Sequence, residues 1–342
     1  MKSAPAIRED VLEQAQELVR KSTTCEAMLP WGCTDRSHGI LSRYKSIGFD
    51  FASITVASDD SPGDAAGDAL RAIAGMRALL AERPSDYRLA LTSEDVKLAR
   101  EKGQIAINFN FQGTLPFGKS TELVGVFREL GLRQVLLAYN QANFVCDGCS
   151  ERTDAGLTKV GVRLVKALNE ARIIVDGTHC GRRTTFDAME LATQPFIFSH
   201  SNCDSVYPHY RNITDEQIKG CAATGGFIGI NGLNLFLGDD EGRSETMFRH
   251  IDHVAELVGP QFVGIGFDYV QFVEPIDAYY ERNQDIWPVN SHNNRPMKGL
   301  RSAQPEQVVE LTGLMLEHGY GEEVILGVLG GNYLRVASQI WG

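Results

Sequence analysis

A single (β/α)8 (TIM) barrel is the fold this sequence predicts, and three observations predict it. Short apolar, β-branched runs alternate with amphipathic helical patterns, nearly every run ends in a chemically capable side chain, and no GxGxxG follows the first strand. Continuous apolar strands between helices read as a parallel sheet covered by helices. An open doubly wound sheet permits the same alternation, but it gathers ligands at one switch point, whereas a barrel brings residues from many strand ends to one face. Gln112, Tyr139, His179, His200, Asn231 and Asp268 each stand at a different strand end, which favours the barrel.

The elements follow in order. The opening MKSAPAIREDVLEQAQELVRK is a charged amphipathic stretch with no signal-peptide apolar region. TTCEAM (23–28) has a poor strand pattern, but its place between this helix and the loop LPWGCTDRSHG gives it the role of an eighth strand. Seven clearer strands follow: FDFASITVA (49–57), QIAINFNF (104–111), QVLLAY (134–139), RIIVDGT (172–178), PFIFSH (195–200), GFIGIN (226–231) and FVGIGFD (262–268). STELVGVFREL, GVRLVKALNEA, TTFDAMELAT and TDEQIKGCAAT carry the helical patterns between them. The least regular stretch, about 271–303, is aromatic and polar and is expected to form a lid or a subunit contact. No repeat, low-complexity tract or linker divides the chain, so residues 1–342 are read as one domain.

Composition narrows the function. With 342 residues, 43% hydrophobic and 23% charged, the chain is long enough to bury a substantial core. A formal net charge of −11 with no basic stripe argues against nucleic acid as a partner. No apolar run approaches a membrane span, so a cytoplasmic protein is expected. Cys25, Cys33, Cys146, Cys149, Cys180, Cys203 and Cys221 are odd in number and scattered, unlike a secreted disulfide framework. The lone CxxC of Cys146 and Cys149 lies in a DGC turn context and is read as structural rather than zinc-binding.

His179 ends DGTH and His200 ends FIFSH, one βα unit apart, so neighbouring strands bring both imidazoles to the same mouth. Two neutral imidazoles suit zinc or a similar divalent ion; a hydrogen-bonded core or rim histidine is the alternative for either one alone. Asp268, ending GIGFD, is positioned to move the proton of an attacking water, or else to cap a helix. Arg211 precedes a helix whose expected N-cap is Thr214, and its fork suits a substrate carboxylate, although a solvated loop arginine reads the same way. Glu26 and His38 lie close to the weak first strand and could supply a further ligand.

The blocks VDGTHCGRRTTFDAMELATQPFIFSHSN, RNITDEQIKGCAATGGFIGIN, HIDHVAELVGPQFVGIGFD and GYGEEVILGVLGGNYLRV, spread between about 104 and 335, resemble the membrane dipeptidase (renal dipeptidase, peptidase M19) family of amidohydrolase-like barrels. The resemblance implies a metal-dependent hydrolase acting on short peptides or related amides, and a homodimer. It implies two zinc ions held by an HxD pair on the first barrel strand, a bridging Glu on the third and histidines on the fifth and sixth. The last two map onto His179 and His200, the water-handling aspartate onto Asp268 and the carboxylate-holding arginine onto Arg211.

Three positions depart from that pattern. CEAMLPW places Glu26 and Met28 where the family has HxD, FQG places Gln112 where it has the bridging Glu, and LAYN places Tyr139 where a histidine polarises the scissile carbonyl. A neutral amide cannot bridge two dications as a carboxylate does, and a thioether is a soft, weak ligand. The expectation is therefore one divalent metal, zinc, rather than two, on His179 and His200 with Glu26 or Gln112. Tyr139 would donate to a developing oxyanion, and Arg211 with Asn140 would bind a dipeptide or other amide bearing a carboxylate. The alternative is a catalytically impaired relative that binds a small carboxylate ligand.

Overall fold

The computed structural model describes residues 7–33, 36–60, 63–290 and 292–342. Its strands are β1 (Thr24–Leu29), β2 (Phe49–Ser58), β3 (Tyr87–Leu89), β4 (Ile105–Gln112), β5 (Leu132–Leu136), β6 (Ile174–Asp176), β7 (Ile197–Phe198), β8 (Phe227–Ile230) and β9 (Val263–Ile265). They pair in parallel in the order β1-β2-β4-β5-β6-β7-β8-β9, with β3 set against β4. Eight of these strands form the nearly closed barrel that the alternation predicted, and TTCEAM is its first strand. β3 went unpredicted: its three residues pair with Ile105–Ile107, while β5 continues along β4 from Phe109 to Gln112.

The seven clearer strands are expected to be continuously apolar, but the barrel interior is strongly polar. Glu26, Ser53, Asn108, Asn110, Gln134 and Asp176 are fully buried. Burying such groups is costly unless they are hydrogen-bonded, and of these only the Asn108 amide has no partner. Asn110 donates to Ser53 Oγ at 3.0 Å and accepts from Thr55 Oγ1 at 2.9 Å, while Gln134 donates to Asp176 at 3.0 Å and accepts from the Tyr333 hydroxyl at 3.0 Å. Most apolar side chains of the strands pack outward instead, under helices such as Ala65–Glu82, Lys159–Glu170 and Ser244–Val258. Below the strand N-termini, the last helix, Asn332–Trp341, packs Tyr333 and Trp341 against Phe51 and Phe227.

Two glycines mark where strands crowd at the height of the site. A Cβ on Gly229 would lie 2.0 Å from the Ser199 carbonyl oxygen and one on Gly266 only 1.9 Å from it, so neither position admits a side chain beside β7. Thr214 is the N-cap expected for the helix Asp215–Ala223, closed by a capping box with Gln217. The irregular stretch after β9 contains a helix, Val273–Arg282, which the sequence reading did not predict. It packs Tyr280, Trp287, Met297 and Leu300 into a separate apolar cluster with Leu233 and Phe236 over the mouth. Among the described residues, no helix is long and apolar enough to cross a membrane.

Candidate active site

His179 and His200 leave β6 and β7 together, and their Nε2 atoms stand 3.1 Å apart. Each ring is held from behind. His179 Nδ1 lies 2.7 Å from Asn140 Oδ1, and because the Asn140 amide nitrogen donates to the Ile286 carbonyl, its oxygen is the atom that faces the ring. Nδ1 of His179 therefore carries the proton and Nε2 presents a lone pair. His200 Nδ1 is 2.8 Å from Ser199 Oγ, and its Nε2 lies within hydrogen-bond distance of the His179 lone pair. Burial, reinforced by the Arg211 charge, pushes both imidazoles well below the ordinary histidine range, so both are neutral at pH 7.

Asp268 follows β9 and is buried, with Oδ2 accepting from Asn231 Nδ2 at 3.0 Å. Asn231 is itself fixed, its side-chain oxygen taking the Leu233 N–H and its backbone N–H bonding to Asn202. Desolvation raises the Asp268 carboxyl to about 6, against the opposing pull of Arg211 and Asn231. A carboxyl titrating there can take and return a proton near neutrality. Asn140, His179 and Asp268 all adopt left-handed backbone, at φ 60°, 67° and 54°. That conformation costs a non-glycine residue roughly 1–2 kcal/mol; it turns His179 and Asp268 toward the mouth and places Asn140 behind the His179 ring.

Arg211 is 3% exposed, yet no carboxylate among the described residues pairs with it. Its Nη2 donates to the His200 carbonyl at 3.2 Å and lies 3.4 Å from His179 Nε2, its guanidinium stacks 5.1 Å from the Phe236 ring centre, and its Nε has no partner. A buried, unpaired cation is costly, and an incoming anion relieves that cost. Tyr139 stacks on the His179 ring with centroids 4.2 Å apart, and burial holds its phenol proton well past the ordinary range, making it a donor.

The other predicted site residues are placed differently. Gln112 lines the mouth, but its amide donates to Thr55 Oγ1 at 3.0 Å and to Met28 Sδ at 3.3 Å, so two of the departing positions meet each other. Glu26 points away from the mouth: Oε1 accepts from the backbone N–H of Met28 at 3.2 Å and of Phe267 at 2.9 Å, and Oε2 meets the Tyr44 hydroxyl at 3.3 Å. Complete burial raises its carboxyl to about 8. Asn140 sits behind His179 instead of facing a cavity. His38 lies on the outside, between Glu82 and Tyr87. Cys146 is buried beside Cys180, while Cys149 donates to Asn140 Oδ1 at 3.2 Å, so the CxxC thiols serve different neighbours.

The two imidazoles have a spacing compatible with a single cation. Two imidazole nitrogens on one tetrahedral zinc stand about 3.3 Å apart, given bonds of roughly 2.05 Å; the observed 3.1 Å matches this, and both rings have the hydrogen-bonded Nδ1 that metal-bound histidines carry. Among the described residues, no three His, Cys, Asp or Glu side chains converge.

Two cavities meet at His179. The larger, about 840 Å³, is bordered by Gln112, Tyr139, His179, Asp268 and Trp287 and continues along the helix Ala65–Glu82. The smaller, about 390 Å³, holds Arg211, Tyr210 and Cys149. Trp287, edge-on to both Tyr139 and His179, gave no sign in the sequence; Ser199 and Asn231 did, by adjoining His200 and by ending a strand.

A parallel barrel with an imidazole pair, a poised carboxyl and a buried guanidinium at the strand C-termini has the architecture of a barrel hydrolase. The family described as membrane dipeptidase (peptidase family M19) matches residues 41–278, and the chain belongs to that family. An uncharacterised protein from the pqqA 5′ region of Klebsiella pneumoniae is 26% identical over 82% of this chain and 98% of its own length. An uncharacterised dipeptidase of Schizosaccharomyces pombe is 28% identical over 61% of this chain, which spans about half (52%) of that relative. In fold, the chain is similar to an amidohydrolase from Pseudomonas aeruginosa, with a TM-score of 0.84 and 24% identity over 96% of this chain and 99% of the other.

Proposed function

We propose that this chain hydrolyses an amide in a small carboxylate-bearing substrate, a dipeptide or a related compound, with one divalent ion held by His179 and His200. The observation that carries the reading is the 3.1 Å approach of two neutral Nε2 atoms whose Nδ1 positions are both hydrogen-bonded. A divalent ion at this point, zinc by its affinity for imidazole, supplies Lewis acidity and a nucleophile at neutral pH. The protein's own groups do the rest. Asp268 accepts the proton of the attacking water and passes it to the leaving amine, and Asn231 fixes the carboxylate oxygen that does so. Tyr139 donates to the oxygen on which charge develops. Arg211 pairs with the substrate carboxylate, and the Trp287 lid excludes water around His179.

Arg211 also favours a second reading, because a buried guanidinium with a free Nε would bind a carboxylate whether or not chemistry follows. A screen of dipeptides, N-acyl amino acids and cyclic amides separates the two. Hydrolysis that a chelator abolishes and zinc restores supports the first. Thermal stabilisation by carboxylates without turnover, lost in Arg211→Ala, supports the second.

A further inference from the structure

The two cavities that share His179 as a wall are unlike in size and in chemistry, and a substrate cleaved at their junction would have two unlike halves. The smaller presents the Arg211 guanidinium, whose Nε is unpartnered although the residue is 3% exposed, beside a Tyr210 hydroxyl that also lacks a partner. Glu151, Asp154 and Asp204 also border this cavity, so the place for a compact anionic half is the one beside Arg211. The larger has more than twice the volume, about 840 against 390 Å³, and leaves the mouth along one face of the helix Ala65–Glu82. Ala65, Ala69, Ala72, Gly75, Met76 and Leu79 recur there at helical spacing as an apolar stripe, flanked on the same helix by the exposed charges of Asp68 and Arg71. From Ala65 to Leu79 the helix rises about 21 Å. A Cβ placed on Gly75 would meet nothing within 4 Å. A dipeptide of small residues would leave most of this cavity filled with water against apolar side chains.

We infer that the acyl half of the substrate carries an extended, unbranched aliphatic chain that lies along this helix, opposite a small amino-acid half held at Arg211. The inference rests on the amide-hydrolase reading for the position of the scissile bond, and it adds the substrate class. An aliphatic chain is favoured over an aromatic group because the aromatic side chains, Tyr139, Tyr279, Tyr280 and Trp287, stand at the mouth, while the stripe beyond them is made of alanine, glycine, methionine and leucine, with the charges of Asp68 and Arg71 at its side. Ala72 and Gly75 would then set the length that fits.

The test measures binding of N-acetylglycine, N-hexanoylglycine and N-decanoylglycine by calorimetry, below their aggregation concentrations, to the zinc-supplemented wild type and to Ala72→Leu and Gly75→Leu. Burying methylenes strengthens binding by up to about fourfold each, so affinity should climb along the series in the wild type. In both variants the gain should stop short of the decanoyl compound while N-acetylglycine binds as before. Gly75→Leu replaces a helix glycine that has open space around it, so its folding is not at risk. Equal affinity along the series, no binding of any member, or a gain unchanged in both variants would overturn the inference. Turnover followed on the same compounds keeps the two readings apart. A length-dependent affinity without hydrolysis retains the acyl site and removes the hydrolase, whereas hydrolysis without length dependence does the reverse.

Discussion

The carboxyl of Glu26, on the first strand of the barrel, accepts a hydrogen bond from the backbone N–H of Phe267, 2.9 Å away just beyond the last strand. No backbone ladder joins β9 to β1, so this side chain spans the seam, and it does so from one of the positions where the family pattern has a metal ligand. Phe267 precedes Asp268, so the bond also steadies the left-handed turn that aims that carboxyl. Glu26 holds its proton to about 8 in the fold, against an ordinary value near 4.5. Raising the pH between those values therefore drains stability, and Gln, with no proton to lose, escapes the loss. Glu26→Gln should be close to wild type at pH 5 and more heat-stable than wild type at pH 8. Glu26→Ala leaves two buried N–H groups unpaired and should be less stable at both, by about 1–3 kcal/mol for each. Thermal unfolding of the three proteins across pH checks this.

Asp268 titrates at about 6, so a rate that depends on its carboxylate should fall as pH drops through that value. Asp268→Asn should lower kcat by about 10²–10⁴-fold for every substrate alike and erase that acid limb from what remains. Pre-steady-state rates against pH make the comparison, and an unchanged limb would assign it to another group.

Arg211 should separate binding from chemistry. Arg211→Ala should raise KM for a carboxylate substrate by about ten- to a hundredfold, the worth of a charge-assisted contact, and leave neutral analogues nearly unaffected. Arg211→Met, which replaces an unpaired buried charge by an apolar chain, should raise Tm in the absence of ligand. A lower Tm would mean that the guanidinium is already satisfied.

The architecture was legible because β-branched runs and helical periodicities depend on local sequence alone. His179, His200 and Asp268 could be placed at the mouth because a strand end is a position the sequence marks. What escaped depends on partners distant along the chain. The role of Glu26 needs Phe267, 241 residues away, and that of Asn140 needs Ile286 to turn its amide oxygen toward His179. β3 is too short to leave a periodic signal, and Trp287 sits in an irregular segment whose composition does not single out the residue that meets His179.

Asn140 offers the most selective test of the imidazole pair, because it touches one ring only. Asn140→Ala removes the acceptor of His179 Nδ1 and should weaken metal affinity by about 10–100-fold, while the barrel stays folded by far-ultraviolet circular dichroism. Ser199→Ala should act in the same direction through His200. An affinity unchanged in both variants would argue that the rings are held by packing alone.

If this mouth holds one ion on His179 and His200, metal content is the most direct measure of it. Protein saturated with zinc and then dialysed should return close to one equivalent per chain by elemental analysis, and His179→Ala and His200→Ala should each return close to none while remaining folded. Two equivalents per chain in the wild type, or one equivalent retained by both histidine variants, would contradict it.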